Sequence, residues 1–368
     1  MNNQLKNKVI QLTKPYKFEL RDKNIKIDSN DIVVMPTLCY ICAADLRYYT
    51  GNRRPEALKK KLPMALLHEG IGIVEESNAA FNKNDRVVLV PNIPGYVLDR
   101  KEQKECCIAC ELEEVGENYC ENGIFISSGY DGLMQKFIVH PKECVVKIPD
   151  DVPSEIAALS ELVTVSYEAT KKVKINGDER IVVFGDGPVG YLMYCVLSFI
   201  YKIPTNNLLI IGTDESKLNM FEFAQKLNIR GDEPFYDAAS FHPTYVFECV
   251  GGNNMGDAIN YAIDIVRRGG SIVSMGVSEQ NVAINMRDVL EKGLTIKGSS
   301  RSTRHSYPVI LEYMRAKLFQ DMLSKVICER RFEVDSIEVL KDAFDFAASK
   351  DYWGKIMLTF EGELYERK

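Results

Sequence analysis

Four apolar residues, Ile181-Val182-Val183-Phe184, run directly into Gly185-Asp186-Gly187-Pro188-Val189-Gly190. An unbroken apolar run of this length reads as a parallel strand buried on both faces. The stretch from Tyr191 to Tyr201 reads as a helix. Glycines serve ordinary turns too, but strand, Gly-x-Gly-x-x-Gly and helix in that order are the context in which the spacing means a dinucleotide site. Gly185 allows the tight turn, Gly187 lets the backbone approach a pyrophosphate, and Gly190 lets helix and strand pack closely. Pro188 and Val189 lie at the helix start, whose free N–H groups face the anion.

From 180 to 300 this unit is repeated as a series. Strands are expected at 181–184, 208–211, 245–249, 271–275 and 294–297. Helices are expected near 188–202, 216–227, 256–267 and 285–292. This is a doubly wound parallel sheet, an α/β fold of the Rossmann type. Ligands sit outside the carboxyl ends of such strands, which nominates Val250-Gly251-Gly252 and Gly276-Val277. Residues before 150 instead give short strands, with turns expected at 22–24 and 29–31. A helix beginning at Glu155 separates the two patterns. The expected domains are 1–160, mostly β, then 161–300, the dinucleotide-binding domain, with 301–368 returning to the first.

The end of the second strand of the series selects the coenzyme. An acidic residue there bonds the ribose 2′-hydroxyl of NAD. Here the position reads as Gly212, in Ile211-Gly212-Thr213-Asp214-Glu215-Ser216-Lys217. A small residue leaves room for a 2′-phosphate, with Thr213 to hydrogen-bond it and Lys217 to supply charge. NADPH is therefore expected, while Asp214 stays open as a ribose acid if the loop is short.

Earlier in the chain, Cys42 is followed by His68 within Leu67-His68-Glu69-Gly70. A lone cysteine is usually a small buried hydrophobe. Thiolate, imidazole and carboxylate together are the ligands of a zinc site with an open position. Asp45, three residues on, is placed to orient a ligand from outside the coordination shell. Further on, Cys107-x-x-Cys110 with Cys120 reads as a small structural zinc lobe, its fourth ligand either Cys106 or Glu113. The alternative is a loop that kept its thiols without metal. The chain has ten cysteines, no apolar segment resembling a signal peptide at its start, and no run near the ~18 apolar residues of a membrane span. It reads as cytoplasmic, with thiols free or metal-bound rather than paired. The net charge of −6 argues against a nucleic-acid or anionic-membrane binder.

Cys42-x-x-Asp45, His68-Glu69-Gly70-x-Gly72, the thiols at 106–120, Glu161 and the glycine turn stand in the order of the zinc-dependent medium-chain alcohol and polyol dehydrogenases, which the chain resembles over nearly its whole length. The stretches 41–51, 62–70 and 291–302 are most similar to one branch, the ribulose-5-phosphate reductases. The resemblance implies a GroES-like catalytic domain beside the Rossmann domain. It implies a catalytic zinc on Cys42, His68 and Glu161, with Glu69 a further, exchanging ligand. It implies zinc-assisted hydride transfer from NADPH to D-ribulose 5-phosphate, giving D-ribitol 5-phosphate for CDP-ribitol and the teichoic acids and capsules made from it. A homodimer or homotetramer, and a cytidylyltransferase partner, would go with that role. Arg301 and Tyr48 match positions that hold substrate hydroxyls. The phosphate would need cations, for which Arg47, Arg53, Arg54, Arg301 and Arg304 are candidates; Arg53-Arg54 reads rather as solvated loop. Ala44 stands where many relatives carry a hydroxyl that relays a proton, and Arg47 where many carry histidine. Two other readings stay open: a zinc polyol dehydrogenase for an unphosphorylated sugar alcohol, and a nucleotide-binding redox sensor without turnover.

Overall fold

The computed structural model describes residues 4–112, 114–231, 234–349, 351–360 and 362–365. The chain divides into two compact units. One comprises Met1–Glu161, Arg301–Gln320 and Ile327–Lys368; the other comprises Leu162–Ser300 and Asp321–Val326.

In the second unit, six strands pair in the spatial order Gln225–Asn228, Leu208–Gly212, Ile181–Phe184, Tyr245–Glu248, Ser271–Ser274 and Thr295–Gly298, all parallel among the described residues. Ile181 lies opposite both Leu208 and Tyr245, so the apolar run is the middle of the sheet. Val182, Phe184, Leu209, Ile211, Val246 and Ile272 are buried against Ala258, Ile259, Ala262 and Ile263 of the helix Met255–Ile265. Each large apolar side chain buried this way contributes roughly 1.5–3 kcal/mol. One expectation fails at the edge. The helix predicted over 216–227 stops at Leu218, and Gln225–Asn228 is the outermost strand. Leu218, Phe221, Ala224 and Leu227 recur every three residues and so look helical. A polar edge strand with exposed Gln225 and Lys226 lacks the apolar run that marks a central one.

The first unit is built on a mostly antiparallel sheet. Its strands lie in the order Ile327–Val334, Lys355–Phe360, Asp31–Tyr40, Glu69–Val74, Arg86–Leu89 and Val145–Lys147, with Ile138–Pro141 also paired to Asp31–Tyr40. The strands Gln4–Lys14 and Lys17–Lys26 form a separate hairpin. It turns at Pro15-Tyr16, where Tyr16 has φ of 62°, and not at 22–24 as the charge pattern suggested. Two short helices follow the strand Asp31–Tyr40: α1 (Ala43–Tyr49) and α2 (Pro55–Lys61). Among the described residues no helix is long and apolar enough to cross a membrane.

Strand register gathers distant residues. Tyr40 lies opposite Glu69 on one side and Met357 on the other, and Ile41 N donates to Ile356 O at 3.1 Å. Cys42, Glu69 and Lys355 thereby meet at one end of the strand Asp31–Tyr40. Gly70 and Gly72 permit this pairing: a Cβ on Gly70 would stand 2.6 Å from Cys39 Sγ, and one on Gly72 2.5 Å from Met35 O.

Candidate active site

Cys42 is the N-cap of α1. Its sulfur accepts from Ala44 N at 3.5 Å, and the Asp45 carboxylate accepts from Cys42 N at 3.0 Å. This is a capping box with a thiol in place of the usual hydroxyl. Asp45 is wholly buried. Its other oxygen accepts from Leu67 N at 3.0 Å and Ser127 Oγ at 2.9 Å, and lies 3.8 Å from His68 Nδ1. Leu67 has φ of 70°, a left-handed conformation costing on the order of 1 kcal/mol or more for a branched residue. The Asp45 bond to its N–H and the Leu133 N–H donated to its carbonyl at 2.8 Å hold it there, and His68 is turned toward Cys42. Glu69, also wholly buried, accepts from Lys355 Nζ at 3.0 Å through Oε1; Oε2 lies 2.7 Å from the same ammonium, off the donor direction.

Cys42, His68 and Glu69 each offer a ligand atom, and these atoms lie within 4.8 Å of one another. Burial, then the Glu69 charge, pushes the Cys42 thiol well above its ordinary range. His68 Nδ1 is buried with no hydrogen-bond partner. A thiol that ionises only against a cation, beside imidazole and carboxylate, is a donor set that fits zinc. Glu161, in the first turn of the helix Ser160–Thr170, is buried beside the group. Burial pushes its carboxyl up to about 7, with the His68 charge opposing and Glu69 adding. Lys355 is buried too. Its burial favours the neutral amine, but the Glu69 charge holds it above its ordinary value.

Arg301 has φ of 61°, so a second residue here sits in the left-handed region. Its guanidinium lies 5.1 Å from the centre of the Phe125 ring, and that ring stands edge-on to His68 at 5.1 Å. Arg301 Nη1 also approaches Asn92 Oδ1 at 3.4 Å. Burial pulls the guanidinium below its ordinary value. Arg47 lies half-buried in the last turn of α1, one residue before the buried Tyr48. Arg304 is already engaged: the buried Glu117 accepts from its N–H at 2.8 Å and lies 3.4 Å from its Nε.

A second group of thiols lies in the same unit. Cys106, Cys107, Cys110 and Cys120 are mutually within 4.8 Å, with sulfur separations of 3.5 Å (106–120), 3.6 Å (107–110) and 3.8 Å (107–120). Four sulfurs about 2.3 Å from a central zinc stand about 3.8 Å apart. Cys106 is thus in place as a fourth thiol; Glu113, the other option, lies outside the described residues. All ten cysteines are free thiols.

The glycine turn belongs to the second unit. Gly185 has φ of 132°, and a Cβ on Gly190 would stand 2.0 Å from Gly185 O. A Cβ on Gly187 would meet nothing within 4 Å, so that side of the turn is open. Pro188 is the first residue of the helix Pro188–Cys195, with Val189 second and half-buried. Asp186 reaches to the end of the strand Leu208–Gly212. Its Oδ2 accepts from Thr213 N at 2.7 Å and Asp214 N at 3.0 Å, with Thr213 Oγ1 at 3.4 Å. A Cβ on Gly212 would stand 2.7 Å from that carboxylate. The space above Gly212 that the sequence reading gave to a 2′-phosphate is thus taken by Asp186, and Lys217 lies 3.8 Å from Asp214. Asp214 caps the short helix Glu215–Leu218 through Ser216 N and Lys217 N. The nominated loops share one buttress. Glu248 accepts from Val250 N at 2.8 Å and Gly251 N at 3.0 Å, and from Ser274 Oγ at 2.9 Å and Gly276 N at 3.2 Å.

Sequence reasoning missed Lys355, Ser127, Phe125, Asn92, Asp186 and Glu248. Lys355 did carry a signal, since a lysine heading the apolar run Ile356-Met357-Leu358 is out of place in a core unless paired.

Residues 28–150 match the alcohol dehydrogenase GroES-like domain and residues 237–316 the zinc-binding dehydrogenase domain. Over 357 residues the chain is 38% identical to ribulose-5-phosphate reductase 1 of Staphylococcus aureus, covering 96% of this chain and 98% of that one. The chain belongs to the zinc-dependent medium-chain dehydrogenases, in the group of the ribulose-5-phosphate reductases. Another member of that group, from Bacillus spizizenii, is 35% identical over 369 residues, with 96% of this chain and 99% of the other covered. The solved structure of S. aureus TarJ in complex with NADPH superposes with a TM-score of 0.80 at 33% identity, covering 97% of this chain and all of that one. The expected α/β fold, a parallel Rossmann sheet with a GroES-like domain, is the fold of this family.

Proposed function

We propose that this reductase converts D-ribulose 5-phosphate to D-ribitol 5-phosphate with NADPH, using zinc. The observation that carries the reading is the gathering of Cys42, His68 and Glu69 within 4.8 Å in a chain of this family. The first unit would supply the catalytic residues and the second the coenzyme turn. Bound at these residues, zinc supplies Lewis-acid polarisation of the ketose carbonyl, and NADPH supplies the hydride. Cys42, His68 and Glu161 would hold the metal, with Glu69 able to exchange onto it. Asp45 holds the backbone at Leu67, next to His68, and Lys355 balances the Glu69 charge. Arg301, partly desolvated beside Phe125, would hold a substrate oxygen. Cys106, Cys107, Cys110 and Cys120 would hold a second, structural zinc. In the second unit, Gly187 leaves room for the pyrophosphate, and Gly212, Thr213 and Lys217 would border the adenosine end.

The same reading places the enzyme in the cytoplasm, as a homodimer or homotetramer, with a cytidylyltransferase consuming its product for CDP-ribitol. Size-exclusion chromatography with light scattering, and co-purification with that transferase, test those finer points. The reaction itself is tested by initial rates on a panel of ketoses and ketose phosphates with both nicotinamide coenzymes. D-Ribulose 5-phosphate with NADPH should give the highest kcat/KM. Faster reduction of an unphosphorylated ketose would replace this reading with a polyol dehydrogenase, and no turnover in zinc-replete protein would leave a nucleotide-binding protein.

A further inference from the structure

Glu117 lies in the short turn Glu117–Tyr119, between Cys110 and Cys120 of the four-thiol lobe, and is buried. It is neither a proposed metal ligand nor a proposed substrate contact. Its carboxylate is nonetheless a meeting point. Oε1 accepts from Arg304 N at 2.8 Å. Oε2 accepts from the Tyr96 hydroxyl and lies 3.4 Å from Arg304 Nε. The same Nε donates to the Tyr96 hydroxyl at 3.2 Å, which closes a triangle of carboxylate, phenol and guanidinium. The exposed His305 ring brings its Nε2 to 3.9 Å from Oε2. A buried carboxylate is costly unless it is paired and hydrogen-bonded, and Glu117 is both.

These contacts lead to Arg301. The bond to Arg304 N fixes the backbone three residues beyond it. Gly116, with φ of 97°, brings the lobe against the same loop, since a Cβ there would lie 3.8 Å from Thr303 Cγ2. The Arg301 side chain is held separately. The buried Asn92 donates to the backbone carbonyl of Glu117 at 3.3 Å, and its Oδ1 accepts from Arg301 Nη1 at 3.4 Å. One residue of the lobe therefore holds Arg301 from both ends, the backbone through its carboxylate and the guanidinium through its carbonyl and Asn92.

Arg301 has need of such a frame. A non-glycine residue stays at φ of 61° only where its surroundings over-determine it. Among the described residues no carboxylate faces its guanidinium; the Asn92 amide and the Phe125 ring are its contacts. No ion pair fixes the cation, so its place depends on the groups that hold the chain around it. The frame is itself anchored in the lobe. Tyr96 packs against Cys110 and Cys120, and Gly95 N donates to Cys120 Sγ at 3.2 Å.

We propose that Glu117 and Asn92 are positioning residues for substrate binding, which set the Arg301 guanidinium in place and make the four-thiol lobe the support of the substrate's binding end. The proposal rests on the reading of Arg301 as the residue that holds a substrate oxygen.

The test is steady-state kinetics of Glu117→Ala, Glu117→Gln and Asn92→Ala, each with and without Arg301→Met, on the ketose that the wild type reduces fastest, with zinc analysis of every protein. Arg301→Met should raise KM by about 10- to 100-fold, the scale of one lost charge-assisted contact. Glu117→Ala and Asn92→Ala should each raise KM by about 3- to 20-fold with kcat within about threefold of wild type, the pattern of lost binding with the chemical step kept. Glu117→Gln should recover most of the loss, because an amide oxygen still accepts from Arg304 N. In the Arg301→Met background the same substitutions should change KM by less than about twofold, since residues that act through one another do not add. Zinc content should stay at the wild-type level throughout. Equal effects in both backgrounds, or wild-type KM in Glu117→Ala and Asn92→Ala, would overturn the proposal while leaving the role of Arg301 standing. Wild-type KM in Arg301→Met would remove that role and the proposal with it. Should Glu117→Ala lose zinc, Asn92→Ala decides by the same criterion, because it leaves the carboxylate and the thiols untouched.

Discussion

The two candidate metal-ligand groups in the first unit both include cysteine and have opposite construction. The lobe takes four like donors from within fifteen residues of chain, Cys106 to Cys120, and sets them at the spacing of a closed tetrahedron. It has few apolar contacts of its own; Tyr96 and Val97 are the hydrophobic side chains packed with the cysteines. The other group takes a thiol from the start of α1 and an imidazole and a carboxylate from the adjacent residues His68 and Glu69, and surrounds them with buried charge, Asp45 on one side and Lys355 on the other. It stands on a sheet whose strands are buried without it. A metal in the lobe would supply folding energy, as closed zinc sites do. A metal at Cys42 would supply chemistry on a scaffold that is already folded.

The largest effect follows from that contrast. Cys42→Ser should reduce turnover by at least about 10³-fold, as expected when the group that stabilises the reacting oxygen is lost. Metal analysis should show one zinc fewer per chain, and the 95–125 segment should stay as resistant to trypsin as in wild type. Cys110→Ser should also lose one zinc, but there the segment should become the first site of cleavage, with activity falling only as the lobe opens. Two outcomes would break the comparison. One is a Cys42→Ser protein cleaved in the lobe. The other is an inactive Cys110→Ser protein with the lobe intact.

The ligand types of both groups were legible in the sequence because short spacings and residue chemistry carry them. Cys42 with His68, and Cys107 with Cys110 and Cys120, needed no fold to be noticed. What surrounds them was not legible. Lys355 meets Glu69 across 286 residues because one strand register sets Ile356 against Ile41. No local pattern encodes a register. Gly212 was read for the room it leaves, yet the structural demand on it is the Asp186 carboxylate, brought over from the neighbouring strand's turn. The central strands were placed within a residue or two because they are continuous apolar runs. The edge strand at 225–228 was taken for a helix because polar edge strands keep no such run.

A smaller effect sharpens the account of the mixed site. If buried charge holds its ligands in place, removing either supporting charge should weaken metal binding without removing a ligand. Asp45→Asn and Lys355→Met should each lower zinc affinity by about 10- to 100-fold, the range found for outer residues that orient metal ligands. Competition with a chromophoric chelator measures this directly. The visible spectrum of the cobalt-substituted protein should shift as well, since the geometry at His68 or Glu69 changes. Unchanged affinity and spectrum would mean that the ligand positions are fixed by the sheet alone.

The smallest effect separates the two groups by proton affinity in the metal-free protein. At Cys107 burial works against ionisation. Backbone N–H groups of Glu121 and Cys110, with the neighbouring thiols, outweigh it and bring the pKa down to about 7. The lobe therefore gives up its first proton near neutrality, a value that belongs to the coupled group of thiols. Burial and the Glu69 charge drive Cys42 the other way. Alkylation proceeds through the thiolate, so its rate follows the ionised fraction. Between pH 6 and 8, across the range where the lobe ionises, labelling at Cys107 should rise about tenfold. Cys42 should remain unlabelled over the same range. Mass spectrometry of chelated, briefly alkylated protein reads both sites in one sample. Loss of the label from Cys107 on adding zinc back would show that the same thiolate is the metal's ligand. Equal labelling of Cys42 at pH 7 would mean that buried charge around it does not keep its proton on, and that the two groups differ in shape alone.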